Sequence, residues 1–157
     1  MEELTAKDIM VKSYATIAPD APIQEAGRLI FEGKVRDSGY KPFGIIVTDE
    51  IGRLVGMVSM FDILYHLRPA FLNYELDAFD MPQAEMDIYV DQFKELKVEQ
   101  VMSSPVVTVS PDDGLIILID LMVKKKFRRL PVVDGDKILG IVYLSDVFYR
   151  LSSMWSE

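Results

Sequence analysis

The sequence predicts an α/β chain with mixed (α+β) sheets, built as two β-α-β-β-α repeats packed about a pseudo-twofold axis and joined by an acidic helical connector. Three observations predict it. The stretch GMVSMFDILYHL, from Gly56 to Leu67, recurs 84 residues on as GIVYLSDVFYRL, from Gly140 to Leu151. The stretch SYATIAPDAPI recurs as PVVTVSPDDGL at an offset of 92. Between the copies, residues 73–100 carry Glu75, Asp77, Asp80, Glu85, Asp87, Asp91, Glu95 and Glu99 against Lys94 and Lys97, which is −6 of the net −8. A duplication of this length is a folded half rather than a solenoid repeat. At roughly 55 residues neither half buries its core comfortably alone, so the halves are expected to share one. The predicted boundaries are 4–67 for the first repeat, 68–97 for the connector and 98–151 for the second repeat.

Thr5 with Asp8 three residues on is a capping-box variant that opens a short helix, and the segment recurs as VEQVM. A short strand around Thr16 or Thr108 follows, then a proline at 19 or 111 and a helix start. Pro22 suits the first helical position of one copy and Asp113 the N-cap of the other. Ile23, Ala26, Gly27 and Ile30 fall on one helical face, as do Leu115, Leu118, Ile119 and Met122, and both faces read as core. The copies then differ in length. VRDSGYKPF precedes the strand GIIV, whereas KKKFRR runs directly into LPVV, so Pro42 and Phe43 stand where the second copy has Arg128 and Arg129. Across this region the offset falls from 92 to 84, making the first copy eight residues longer. The hairpins TDEIGRLVGMVS and DGDKILGIVYLS come next, each with glycine at its turn. Met60, Ile63, Leu64 and Leu67 give the apolar face of one closing helix, and Leu144, Val147, Phe148 and Leu151 that of the other. Pro69 ends the first of these. In the connector, Met86, Tyr89, Val90, Phe93 and Leu96 after Pro82 predict an amphipathic helix that covers the protein's own core or meets a partner, the first being the preferred reading.

Of the 157 residues 50% are hydrophobic and 27% charged, as in a globular chain. No stretch approaches the ~20 apolar residues of a membrane span, and MEELTAKDIM lacks the basic and apolar regions of a signal peptide, so a cytoplasmic location is expected. The lack of cysteine excludes disulfides and thiolate chemistry, and the lone His66 leaves no His-rich metal site. The acidic balance argues against nucleic acid, which needs clustered Lys and Arg. No nucleophile, base and orienting partner can be assembled, so no enzymatic activity is expected.

The candidate chemistry lies at Asp62 and Asp146, each in the first turn of a helix, where free N–H groups favour an anion. A carboxylate accepts two hydrogen bonds from a ribose diol, and a helix N-terminus beside a hydroxyl seats phosphate. Ser59 with Asp62 is also an S-x-x-D cap that needs no ligand. In the second copy Tyr143 replaces that serine while Asp146 and Ser145 remain. Lys124, Lys125, Lys126, Arg128 and Arg129 place five positive charges within six residues, a local reversal suited to a polyanion.

With GMVSMFD and GIVYLSD, the IM and VM segments and RRLPVVD, the chain resembles tandem CBS domains, the Bateman module, over 4–67 and 98–151. The resemblance implies a non-catalytic regulatory module that binds AMP, ADP or ATP, or S-adenosylmethionine, in clefts between the repeats. It would act as an energy or nucleotide sensor for a partner, as a flat homodimer. Carried over, the stronger site would use Asp146, Ser145, Arg128 and Arg129 with Ser13, Tyr14, Ala15 and Ala18. The weaker would use Asp62 and Ser59 with Ser104, Pro105, Val106 and Ser110, Lys41 being its nearest cation. Tyr143 is bulky where the family has a small hydroxyl, and it either blocks that seat or stacks on a base. Two other readings stay open: a divalent-cation sensor using Asp77, Asp80, Glu85 and Asp87, and a structural dimerisation module with empty clefts.

Overall fold

The computed structural model describes residues 3–68 and 82–156. The first half runs α1 (Ala6–Ile9), β1 (Thr16–Ile17), α2 (Ile23–Phe31), β2 (Gly44–Thr48), β3 (Leu54–Ser59) and α3 (Met60–Leu67). Then α4 (Gln83–Phe93) and a 3-10 turn at Val98–Gln100 lead to α5 (Leu115–Lys125), β4 (Arg129–Asp134), β5 (Lys137–Tyr143) and α6 (Leu144–Trp155). Two helix starts differ by one residue from expectation. Pro22 is the N-cap of α2 rather than its first residue. Gly114 is the N-cap of α5, and the Asp113 carboxylate turns back to accept from the Ser110 N–H at 2.9 Å. Trp155 ends α6 and is exposed. Pro69, Asp77 and Asp80 lie outside the described residues.

In the first half β1 pairs parallel with β2, and β2 antiparallel with β3. In the second half only β4 and β5 form a sheet, and the strand expected around Thr108 is reduced to a single parallel bridge between Val109 and Val132. The register shows why. Gly44 lies opposite Ser59 and Arg129 opposite Tyr143, so Gly44 corresponds to Arg129, Phe43 to Arg128 and Ile46 to Pro131. This moves by one residue the equivalence of Pro42 and Phe43 with the two arginines. The Ile46 N–H donates to the Ala15 carbonyl at 3.2 Å, extending the parallel ladder. Its counterpart Pro131 has no N–H to offer Val107, so pairing stops with the two bonds of Val109.

The halves exchange their opening segments. The N–H groups of Ala6 and Lys7 donate to the carbonyls of Asp113 and Pro111, and that of Leu115 donates to Leu4. Val98 and Glu99 donate likewise to Ala21 and Pro19, and Ile23 to Leu96. Every one of these pairs is carried into its counterpart by the offset of 92 read from the sequence. Apolar burial follows the exchange. Val98, Val101 and Met102 pack with Ile23, Ala26, Ile30, Ile45 and Val58, while Ala6 and Ile9 pack with Leu118, Met122, Leu130 and Val142. A third cluster of Ile46, Ile141 and Tyr143 with Val11, Tyr14, Leu54 and Ile138 joins the two halves. Of the connector helix, Phe93 enters the first core, Met86 and Tyr89 are half-buried, and Val90 and Leu96 are exposed.

Isolated bridges of Val11 to Ile141 and of Met57 to Ser103 fasten each exchanged segment to a hairpin. They need close approach. A Cβ on Gly140 would sit 2.7 Å from the backbone oxygen of Val11. Because the obstacle is backbone, Gly140→Ala is expected to cost about 1–3 kcal/mol of stability, checked by urea denaturation of the purified variant.

Candidate functional site

The two carboxylates occupy equivalent positions and have different partners. At α3 the Asp62 Oδ2 accepts from the Ser59 N–H and hydroxyl, both at 2.9 Å, and the Ser59 Oγ accepts from the Asp62 N–H at 3.1 Å. This completes the capping box expected from S-x-x-D. The Ser103 hydroxyl of the exchanged segment donates to Asp62 Oδ1 at 3.1 Å. Of the roughly four acceptor positions of a carboxylate, one on Oδ1 is left for a further donor.

A cleft of about 420 Å³ opens beside Asp62. Ser59, Ser103, Pro105 and Val106 line one part of it, and Lys126, Phe127, Arg128 and Arg129 another. Of the residues assigned from sequence to this cleft, Ser104 and Ser110 do not line it: the Ser104 hydroxyl donates to the Val55 carbonyl and the Ser110 N–H to the Asp113 carboxylate, both at 2.9 Å. Lys41 lines a different cavity. The cations here come from the second half, because Arg129 crosses over Gly44 and donates through Nε to the Pro42 carbonyl at 2.8 Å. Gly44 leaves room for this crossing, since a Cβ there would come within 2.7 Å of that Nε and the Arg129 side chain would have to shift. Burial lowers the Arg129 pKa from its ordinary value, and the neighbouring Tyr143 and Asp62 oppose the shift.

At α6 no side chain of Tyr143 caps the helix, and Asp146 is buried. Its carboxylate is taken by the first half's insertion. Arg36 Nε donates to Asp146 Oδ2 and its Nη2 to the Ser145 hydroxyl, both at 2.8 Å, and the Ser38 hydroxyl donates to Asp146 Oδ1. The guanidinium carbon stands 3.8 Å from the centre of the Tyr143 ring, a cation–π contact. Burial raises the pKa of the Tyr143 phenol, with Arg36 and Arg129 opposing. The Tyr143 ring is thus covered by Arg36 of the first half.

Of the residues assigned to the Asp146 cleft, Ser145, Arg128 and Arg129 line a cavity of about 600 Å³ that also touches Arg36, Tyr143 and Phe148, whereas Asp146 itself, covered by Arg36 and Ser38, does not line it. Arg128 and Arg129 therefore serve both cavities. Tyr14 instead packs into the core that joins the halves, its hydroxyl donating to the Ile138 carbonyl at 3.3 Å, and Ala15 pairs with β2 through its carbonyl. Ala18 lines a separate surface depression with Asp20, Asp49 and Glu99, and Ser13 lines neither cleft. Sequence reasoning missed Arg36, Ser38 and Ser103. The one signal for the first two was an eight-residue excess in one copy that contained an arginine.

The lone histidine is accounted for within its helix: His66 Nδ1 is 2.9 Å from the Asp62 carbonyl, and its ring meets the edge of Tyr65. Among the described residues no group of three or more His, Cys, Asp or Glu side chains could hold a metal ion, and no helix is long and apolar enough to cross a membrane.

Two halves that exchange their opening segments, each closing on a carboxylate-bearing helix start, define a tandem-repeat module whose clefts are built by both halves. A family model of the CBS domain matches residues 6–69 and 98–153. The chain belongs to the CBS-domain family, as a tandem pair. CBS domain-containing protein YhcV of Bacillus subtilis is 30% identical over 143 residues, covering 91% of this chain and 82% of its own. The solved structure of CBSX2 in complex with AMP superposes with a TM-score of 0.68 at 25% identity, covering 96% of this chain and 97% of that one. A hexameric CBS-CP12 protein from bloom-forming cyanobacteria gives 0.68 at 26% identity, over 99% of this chain and 76% of its own.

Proposed function

We propose that this CBS pair is a non-catalytic regulatory module that binds an adenine nucleotide, AMP, ADP or ATP, in the Asp62 cleft, rather than in the Asp146 cleft that the sequence favoured, and acts on a partner protein as a homodimer. The observation that carries the reading is the composition of that cleft: a carboxylate with an acceptor position to spare, facing Lys126, Arg128 and Arg129 across about 420 Å³. Asp62 would take one ribose hydroxyl, the cations the phosphates, and Pro105 with Val106 the base. The AMP complex of CBSX2 supports this ligand class. S-adenosylmethionine offers the same ribose with a cation in place of phosphate, and three basic residues disfavour it. Dimerisation is supported by the exposed apolar side chains of α3 and α6.

Isothermal titration with AMP, ADP, ATP and S-adenosylmethionine, each with and without magnesium, tests the reading. Asp62→Asn keeps an acceptor for the cap while removing the charge, so it is expected to weaken nucleotide binding about 10- to 100-fold in a chain that still folds. Unchanged affinity in that variant would move the ligand elsewhere. Heat evolved by magnesium alone would favour a cation sensor, and silence with every ligand a structural dimerisation module.

A further inference from the structure

The two clefts differ through one insertion. The additional residues of the first copy fold into a turn in which the Gly39 N–H donates to the Arg36 carbonyl at 2.8 Å and the Arg36 N–H to the Tyr40 carbonyl at 3.0 Å. The turn presents Arg36 and Ser38 together to the second half's carboxylate. The second copy has no corresponding excess to offer Asp62, which keeps an open cleft. At Asp146 the chain itself reproduces what a nucleoside would bring. Two donors meet the two carboxylate oxygens, as ribose hydroxyls would, and a flat delocalised group lies on the Tyr143 ring, as a base would.

We infer that Arg36 and Ser38 stand in for a ligand at Asp146, so that each chain takes one nucleotide, at Asp62, and the Asp146 cleft admits a second only when the 33–43 segment withdraws. The inference rests on the nucleotide reading above and makes Arg36 the residue that decides which cleft is filled. Withdrawal is favoured by how the segment is held. Val35, Asp37, Gly39 and Tyr40 are exposed, and Arg36 Nη1 is buried with no hydrogen-bond partner, so the docked guanidinium is incompletely satisfied.

Titration of the full chain with AMP and with ATP tests this in four proteins: the wild type, Arg36→Met, Arg36→Met with Asp146→Asn, and Asp146→Asn alone. Methionine removes every donor, and its flexible chain can yield the Tyr143 face to a base. The wild type is expected to bind one nucleotide per chain, Arg36→Met two, and the double variant one again. Should Arg36→Met fail to fold, Arg36→Gln removes the charge and the guanidinium fork while keeping a polar head, and is expected to bring in a second, weaker binding event. One nucleotide per chain in both the wild type and Arg36→Met, or in Arg36→Gln where that variant is used, would overturn the inference and leave the nucleotide reading intact. Two in the wild type, with one lost in Asp146→Asn, would do the same. No binding by any of the proteins would overturn both.

Discussion

Asp146→Ala is expected to lower the unfolding free energy by about 3 kcal/mol, the scale for leaving one member of a buried ion pair alone. The side chains of Arg36 and Asp146 are 9% and 12% exposed, so the guanidinium that loses its carboxylate has little water to turn to. Ser38 loses its acceptor at the same time, and α6 loses the only carboxylate in its first turn, with no cap from Tyr143 to compensate. The reverse change is gentler. Arg36→Met leaves Asp146 with the Ser38 hydroxyl and the positive end of α6. Urea denaturation of the two single variants and the double variant would separate the pair's coupling from these secondary losses. A loss below about 1 kcal/mol for Asp146→Ala would mean that the insertion releases Arg36 to solvent freely and does not clamp the cleft.

How much of this was legible depended on whether the signal was periodic. The offset of 92 was visible because both copies keep the same alternation of apolar residues and proline. It foretold a duplicated half, although it could not show that the opening segments are exchanged, since a repeat pattern is blind to which copy it packs against. The capping box at Ser59 and Asp62 was legible because its partners are three residues apart. Arg36 and Asp146 are 110 residues apart, and no local spacing marks a contact of that range. The gap that separates the copies had no internal repeat to position it, which is why Pro42 and Phe43 were matched to the arginines one residue out of register. The loss of a strand near Thr108 turned on Pro131, a residue of the neighbouring strand, whose missing N–H matters only once the pairing partner is known.

Phe61→Glu and Phe148→Glu are each expected to weaken self-association about a thousandfold. Phe61 is 70% exposed and Phe148 62%, and Met60, Leu64, Tyr65, Leu144 and Tyr149 are exposed around them on α3 and α6. Phe61 stacks on Tyr65 with ring centres 6.2 Å apart, and Phe61 and Phe148 meet at the 600 Å³ cavity between the two helix starts. Apolar exposure of this extent on an isolated chain marks an interaction surface. In a twofold dimer the same patch meets its own copy, so one substitution is felt twice. Losing burial of a phenylalanine costs about 2 kcal/mol on each side, and about 4 kcal/mol in total corresponds to the thousandfold change. Sedimentation equilibrium of the wild type and both variants measures it. A wild type that stays monomeric at tens of micromolar, or variants that associate as it does, would place the partner of this face in another protein. Nucleotide titration of the same variants then divides the roles of the helices. Asp62 faces the cleft and Phe61 its mouth, so a monomeric Phe148→Glu that still binds nucleotide would show that the cleft is complete within one chain, whereas loss of both together would mean that the second protomer closes it.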